Sequence, residues 1–317
     1  MKVSFRSSKS PEFFKISLAG QKETAILGQF KRVGDSLTFT PAIPFTWGFT
    51  YDIREKDTVQ LSFTIPKSPE IEAPEILAIY PTTDTIPENL LKMYFIFSQP
   101  MTEVGNALDY ISLYNQTTQR KVPVFLTLET ELWNKAHNQL TLWLDPGRLK
   151  TDLIPNKERG MPLENQHAYT LRIDAQWQSA KGMTLKQDYV KHFWVTLRDT
   201  EKPQLSNWRL VTPNNASLEP LHIHFNEPLD ALLATETIHI MHRGQQAVLG
   251  SFQLMPHQKG VLFYPDTPWT YGTYSVKVDA KLEDLAGNNL LHLFDTDVQN
   301  IPNAEPSTAQ SLTFKIQ

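Results

Sequence analysis

The chain of 317 residues contains no cysteine, which excludes disulfide bridges, thiolate metal sites and cysteine nucleophiles. It also lacks an apolar run near the roughly 18 residues of a membrane-spanning helix, so we expect no membrane insertion. Its 30 basic and 34 acidic residues nearly balance, which argues against a nucleic-acid partner. The Gly-x-Ser-x-Gly, Walker and His-Glu-x-x-His motifs are missing too, so we expect no enzymatic activity and no catalytic residues.

The residues that are present favour β structure. The chain has 22 prolines and 13 glycines, and long helical patterns are scarce. Short segments with alternating apolar residues recur between turn signals, which is the pattern of a β-sandwich. Only residues 229–234 indicate a helical turn. The sequence therefore predicts an all-β fold.

One type of corner occurs three times along the chain. In each copy a strand ends at a proline, which removes a donor from the ladder, and a tyrosine opens the next strand. We expect the tyrosine ring to lie in a sandwich core and its hydroxyl to meet nearby backbone. The three structural tyrosines are Tyr51, Tyr169 and Tyr274.

The repetition predicts three tandem Ig-like β-sandwich modules, at residues 1–67, 74–198 and 199–317. When the sequences of the second and third modules are aligned, Phe97 aligns with Phe225 and Met101 aligns with Leu229. A proline-rich stretch links the first two modules. The first module opens in the middle of a strand pattern, so we expect it to be truncated at its N-terminus, a truncation that could have removed an export signal. The alternative is a true cytosolic start.

Two motifs make the third module resemble bacterial SbsA-type Ig-like domains. They are Phe225-Asn-Glu-Pro-Leu-Asp230 and Tyr274-Ser-Val-Lys-Val-Asp-Ala-Lys-Leu-Glu-Asp-Leu-Ala-Gly-Asn288. The second module has Ser179-Ala-Lys-Gly-Met183 in place of the last five residues, and the first module lacks that turn. The whole chain also resembles uncharacterised bacterial proteins with Ile86-Pro-Glu-Asn-Leu-Leu91 and Asp145-Pro-Gly-Arg148. The resemblance implies cell-surface or secreted Ig-like modules and supplies no catalytic residue.

A long insertion separates the second corner from its tyrosine, beginning at Asp145 and ending at Pro162. Long loops on rigid scaffolds often bind partners. Its basic residues could contact an acidic protein or an anionic glycan: Arg148, Lys150, Lys157 and Arg159. The alternative is a structural loop that seals the joint between modules, held by apolar anchors at Leu149, Leu153, Ile154 and Met161.

Histidine is concentrated in the third module, which holds six of the nine in the chain. His222 and His224 share one strand face, and His239 lies on the next matched strand. Three imidazoles on neighbouring strands could bind Zn²⁺ or Cu²⁺. The alternative is a polar outer face that happens to use histidine.

The Asp284-Leu-Ala-Gly-Asn288 turn suggests two roles. Asp284 could accept hydrogen bonds from the amides of the turn, while Gly287 and Asn288 supply its left-handed backbone positions. The turn could instead bind Ca²⁺ together with nearby acids, although the spacing is not that of an EF-hand. Those acids are Asp279, Glu283, Asp295 and Asp297.

These patterns favour a non-catalytic, extracellular, cell-surface or periplasmic Ig-like scaffold that binds an unidentified protein or glycan and needs no cofactor. One alternative is a carbohydrate-binding accessory protein, which requires a row of exposed aromatic side chains on one sheet face. The other is a periplasmic copper or zinc protein, which requires the three histidines to converge.

Overall fold

A computed structural model describes residues 2–21, 24–66, 72–103, 105, 107–244, 246–295 and 309–317. It is built mostly of β-strands, and its few helices are short. The strands form six sheets, and their inward residues make three hydrophobic clusters. We refer to the sheets around each cluster as the first, second and third sheet pairs. An all-β fold of Ig-like sandwich type is therefore confirmed.

The first sheet pair has the sheet orders β1-β4-β3 and β2-β5-β6. Its cluster includes Leu37, Phe39 and Ile53, each at most 2% exposed. The strands are β1 Val3–Arg6, β2 Phe14–Leu18, β3 Gly28–Val33, β4 Ser36–Pro41, β5 Thr50–Glu55 and β6 Thr58–Thr64.

The second sheet pair has the orders β11-β10-β14-β15-β8 and β12-β13-β9-β7. Its strands are β7 Ile76–Tyr80, β8 Thr85–Pro87, β9 Lys92–Phe97, β10 Ile111–Asn115, β11 Arg120–Lys121, β12 Leu132–Trp133, β13 Gln139–Trp143, β14 Ala168–Ile173 and β15 Tyr189–Thr196. Its helices are α1 Ala107–Tyr110, α2 Pro146–Leu149 and α3 Ile154–Arg159. Among the described ladders only β15 and β8 pair in parallel.

The third sheet pair has the orders β16-β17-β21-β20 and β19-β18-β22-β23. Its strands are β16 Arg209–Val211, β17 Leu221–His224, β18 Ile238–His242, β19 Gln246–Ala247, β20 Gly250–Leu254, β21 Gly260–Pro265, β22 Gly272–Val278 and β23 Gln310–Ile316. The helix α4, Ala231–Glu236, confirms the predicted helical turn. The Asp230 side chain caps α4 by accepting from the amides of Leu232 and Leu233.

The repeated motif has the same geometry in the second and third sheet pairs. Met101 forms an isolated bridge with Ser179, and Leu229 forms one with Asp284. The glycine three residues later has positive φ in each case, 76° at Gly182 and 82° at Gly287. The boundaries at residues 67, 74, 198 and 199 stay a prediction.

Candidate functional site

The three corner tyrosines are buried, and each hydroxyl meets backbone of the corner that precedes it. The Tyr51 hydroxyl accepts from the Thr46 amide at 3.0 Å, and the Tyr169 hydroxyl accepts from the Glu164 amide at 2.9 Å. The Tyr274 hydroxyl accepts from the Thr270 amide at 3.2 Å and donates to its carbonyl at 3.1 Å. These tyrosines therefore hold the corners in place.

The 145–162 segment is folded rather than a plain loop, because α2 and α3 lie within it. Its central side chain is Arg148, whose guanidinium donates to the carbonyls of Pro123, Arg159, Gly160 and Met161. Burial, with Arg159 nearby, lowers the pKa of Arg148 from its ordinary value. Arg148 thus closes this segment on itself.

The other three basic side chains of the segment point to different surroundings. Arg159 pairs with Asp145 at 3.0 Å, and the Lys150 ammonium lies 5.1 Å from the centre of the Phe294 ring. Lys157 is exposed on α3. That these four residues bind a partner stays a prediction.

The same segment contacts the third sheet pair. Thr151 donates to the Asp295 carboxylate through both its amide and its hydroxyl, and Arg198 pairs with Asp295 at 2.7 Å. Leu149 is fully buried and Met161 packs on the second cluster. The predicted anchors Leu153 and Ile154 are instead exposed, because they begin α3 on its outer side. This geometry favours the structural alternative.

The predicted histidine site does not form. His222 and His224 lie on β17, and their ring centroids are 6.1 Å apart. His239 lies on β18, which belongs to the opposite sheet. In both strands the histidines alternate with buried residues of the shared cluster, so they point outward in opposite directions. The prediction that these three imidazoles bind one metal ion is therefore wrong.

Most of the polar contacts between sheet pairs lie where the second meets the third, which we call the second joint. Lys92 is only 11% exposed there, and its ammonium lies 3.1 Å from Asp230 Oδ2 and 2.9 Å from Glu283 Oε2. The Tyr94 hydroxyl donates to the same Asp230 oxygen at 2.8 Å. Burial lowers the pKa of Lys92, but the two carboxylates together outweigh burial and raise the pKa above its ordinary value. Burial and Asp230 also raise the pKa of Tyr94.

The Asp284-Leu-Ala-Gly-Asn288 turn enters this joint. The Leu91 amide donates to the Leu285 carbonyl at 2.9 Å, and Leu285 packs against the second cluster. Gly287 lies so close to Leu91 that an added Cβ would collide with it. In the equivalent turn, an added Cβ at Gly182 would collide with the Trp47 carbonyl of the first sheet pair. The two matching turns therefore each contact the sheet pair that precedes them.

Three carboxylates cluster at the second joint: Asp199, Glu227 and Asp284, with ligand oxygens within 4.8 Å of one another. Two of them, Asp199 and Glu227, line a cleft of about 370 Å³ together with Arg198 and Glu201. Burial first, and Asp199 second, raise the pKa of Asp284 to about 8 and that of Glu227 to about 7. The cluster therefore retains protons near neutral pH.

The donor set fits proton sharing better than it fits Ca²⁺. Asp284 Oδ1 accepts from the amides of Ala286 and Asn288, and Oδ2 accepts from the Asn288 side chain. Calcium takes six to eight oxygens, and the cluster offers three carboxylates.

The acids predicted to join Asp284 are dispersed. Glu283 pairs with Lys92, Asp295 pairs with Arg198 and Asp279 faces His239 at 3.7 Å. Asp297 lies outside the described residues. The sequence analysis did not predict that Asp199 and Glu227 join this cluster. The position of Glu227 inside the Phe225-Asn-Glu-Pro-Leu-Asp230 motif could have indicated it.

No helix in the described part of the chain is both long enough and apolar enough to cross a membrane. A sequence profile of the family described as "Bacterial Ig-like domain" matches residues 199–299. No curated protein matches the chain. The chain thus carries a bacterial Ig-like β-sandwich domain in its third part.

Solved structures with similar arrangements include an S-layer protein, SbsC, at 9% identity and a TM-score of 0.28; the match covers 65% of this chain and 24% of SbsC. The native α-2-macroglobulin of E. coli matches at 13% identity and a TM-score of 0.26, over 65% of this chain and 13% of that one. The FN1–FN3 domains of chicken CNTN1 match at 10% identity and a TM-score of 0.22, over 100% of this chain and 94% of that one. These distant likenesses carry no argument about activity or partners.

Proposed function

We propose that the protein is a non-catalytic Ig-like scaffold of the bacterial cell surface or exterior, in which three modules at residues 1–67, 74–198 and 199–317 are locked into a semi-rigid array. The family match to a bacterial Ig-like domain supports the class and the location. The observation that carries the scaffold proposal is the second joint, where Lys92 and Tyr94 converge on Asp230.

These contacts limit rotation between the second and third sheet pairs. Lys92 and Tyr94 belong to the second sheet pair and Asp230 and Glu283 to the third, so rotation at the joint would break both ion pairs and the hydrogen bond between them. Asn89 adds a two-way hydrogen bond, donating to the Asp199 carbonyl and accepting from the Asp199 amide, both at 2.9 Å. Inter-domain motion is the default for small polar interfaces, and this set of contacts opposes it.

The absence of cysteine makes the test direct, because two introduced cysteines are the only labelling sites. Spin labels at Thr130→Cys and Ser251→Cys, both exposed, report the distance between the second and third sheet pairs by pulsed electron paramagnetic resonance. We expect a narrow distance distribution in the parent protein and a broadened one after Lys92→Met. Lys135→Met removes an exposed lysine of the same sheet pair and should leave the distribution narrow. A broad distribution in the parent protein would refute the locked scaffold.

A further inference from the structure

The outer face of the five-stranded sheet β11-β10-β14-β15-β8 has an exposed tryptophan with no bulky neighbour. Trp194 is 45% exposed on β15, between β14 and the edge strand β8. Its cross-strand partners are Ala168 on one side and Thr85 on the other, both small. The indole therefore lies beside short side chains, as a flat apolar surface within a polar sheet face.

A second row of outward side chains crosses the same face one register step away. In order across the sheet these are Lys121, Tyr114, Thr170 and His192, of which Thr170 is covered by its neighbours and only 2% exposed. Thr170 Oγ1 and His192 Nδ1 share a hydrogen bond of 2.9 Å, which leaves Nε2 as the ring nitrogen that a ligand could engage. The Arg172 guanidinium lies 5.5 Å from the centre of the Tyr114 ring, which orients it over this row.

The charge of this face differs from that of the chain. The net charge of the protein is −4. On β10, β11, β14 and β15, however, the described outward side chains include Lys121, Arg172 and His192 and no carboxylate. Such a face complements an anionic ligand.

A shallow depression of about 660 Å³ runs along β15, lined by Trp194, His192, Thr170, Gln116 and the 82–84 turn. The turn is held in place, because the Lys191 ammonium donates to the carbonyls of Thr82 and Thr83 at 3.2 and 3.1 Å.

Two further contacts fix this rim. The Thr82 amide donates to Gln258 Oε1 at 2.9 Å, and the one acid of the depression, Asp84, lies 3.9 Å from the Lys191 ammonium. The rim is therefore ordered before any ligand arrives, which reduces the entropy lost on binding.

From these observations we infer that this sheet face binds an acidic polysaccharide, with Trp194 as the stacking surface and Arg172 and Lys121 as partners for its carboxylates. The C–H face of a pyranose ring packs on an indole, and its hydroxyls suit the glutamine and imidazole groups beside Trp194. Arg172 stands opposite Val190, four residues from Trp194, which is about 13 Å along the strand at ~3.3 Å per residue. That span exceeds one sugar ring, so the ligand is a chain of several sugar units.

The probe is polygalacturonate, with neutral dextran as the comparison, in affinity gel electrophoresis of the whole chain. We expect polygalacturonate to retard the parent protein and NaCl to weaken the retardation. Trp194→Ala and Arg172→Ala should each weaken binding by about tenfold or more. Two matched controls should bind as the parent does: Tyr271→Ala, an exposed aromatic, and Arg209→Ala, an exposed strand arginine of the third sheet pair.

Tryptophan fluorescence gives an independent readout. Polygalacturonate should change the emission of the parent protein and leave that of the Trp194→Ala variant unchanged. The proposal is overturned if polygalacturonate does not retard the parent protein, if Trp194→Ala binds as well as the parent, or if dextran binds equally well. Equal loss in Arg172→Ala and Arg209→Ala would also overturn it, because the binding would then be non-specific charge attraction. None of these outcomes depends on the stiffness of the second joint, so the scaffold proposal is tested separately.

Discussion

Tyr94 and Asp230 join the second and third sheet pairs through one carboxylate with two tasks. Oδ2 of Asp230 accepts from the Tyr94 hydroxyl at 2.8 Å, while Oδ1 caps α4 through the amides of Leu232 and Leu233. The residue that begins a helix in one sheet pair therefore also anchors the neighbouring sheet pair.

Removing the Tyr94 hydroxyl should weaken this link without creating a large cavity. We expect Tyr94→Phe to lower the free energy of unfolding by about 1–2 kcal/mol, since a hydrogen bond to a charged group is lost. In a double-mutant cycle with Asp230→Asn, urea denaturation should show a coupling of at least about 0.5 kcal/mol. Tyr264→Phe is the control, because Tyr264 is partly exposed on β21. Additive effects of the two substitutions would show that the contact contributes nothing.

The carboxylate cluster makes stability depend on pH. The pKa of Asp284 is about 8 and that of Glu227 about 7 in the folded chain, against ordinary values of 3.8 and 4.5. The folded state therefore binds protons more tightly than the unfolded state, so their contribution is present at low pH and is lost as pH rises towards 8.

As the pH is raised from about 5 to about 8, we expect the melting temperature of the parent protein to decrease. The free energy of unfolding should decrease by on the order of 2 kcal/mol. Asp284→Asn, which keeps the turn's acceptor and removes the titrating group, should flatten this dependence in differential scanning calorimetry. Glu158→Gln removes an exposed acid on α3 and should not. A melting temperature that rises over this range would contradict the expected sign.

The glycine of the Asp-Leu-Ala-Gly-Asn turn allows a comparison of packing with backbone strain. Gly287→Ala suffers both a positive φ of 82° and a collision with Leu91, whereas Gly244→Ala has a φ of 79° and open space. Strain alone should cost about 1 kcal/mol in each variant. The additional loss in Gly287→Ala, measured by urea denaturation, reports the packing of the joint. Equal losses in both variants would mean that the turn does not need close contact with Leu91.

Tyr274 anchors the corner of the third sheet pair, with its ring 4% exposed and its hydroxyl on Thr270. Tyr274→Ala should lower the free energy of unfolding by roughly 2–4 kcal/mol, as other large-to-small core substitutions do. Tyr271→Ala, three residues away and exposed, should cost under about 0.5 kcal/mol. A small loss in both would show that the corner is not held by its tyrosine.

The sequence alone determined the features that depend on neighbours along the chain. Alternating apolar residues and proline-marked ends predict strands, because side chains in a strand alternate between its two faces. The helical turn at residues 229–234 and the matched motifs ending at Met101 and Leu229 have local signatures of the same kind.

Only the tertiary structure decided which distant groups meet. Tyr94 and Asp230 are 136 residues apart, and Lys92 and Glu283 are 191 apart, so no spacing rule predicts either pair. His239 lies far from His222 and His224 because α4 carries the chain to the opposite sheet. The alternation of side chains within one strand does not indicate to which sheet that strand belongs. Arg148 likewise donates to carbonyls of its own folded segment, which the sequence pattern of a basic loop did not predict. Strand patterns are set by residues two apart, whereas joints and sites are set by how whole sheets pack.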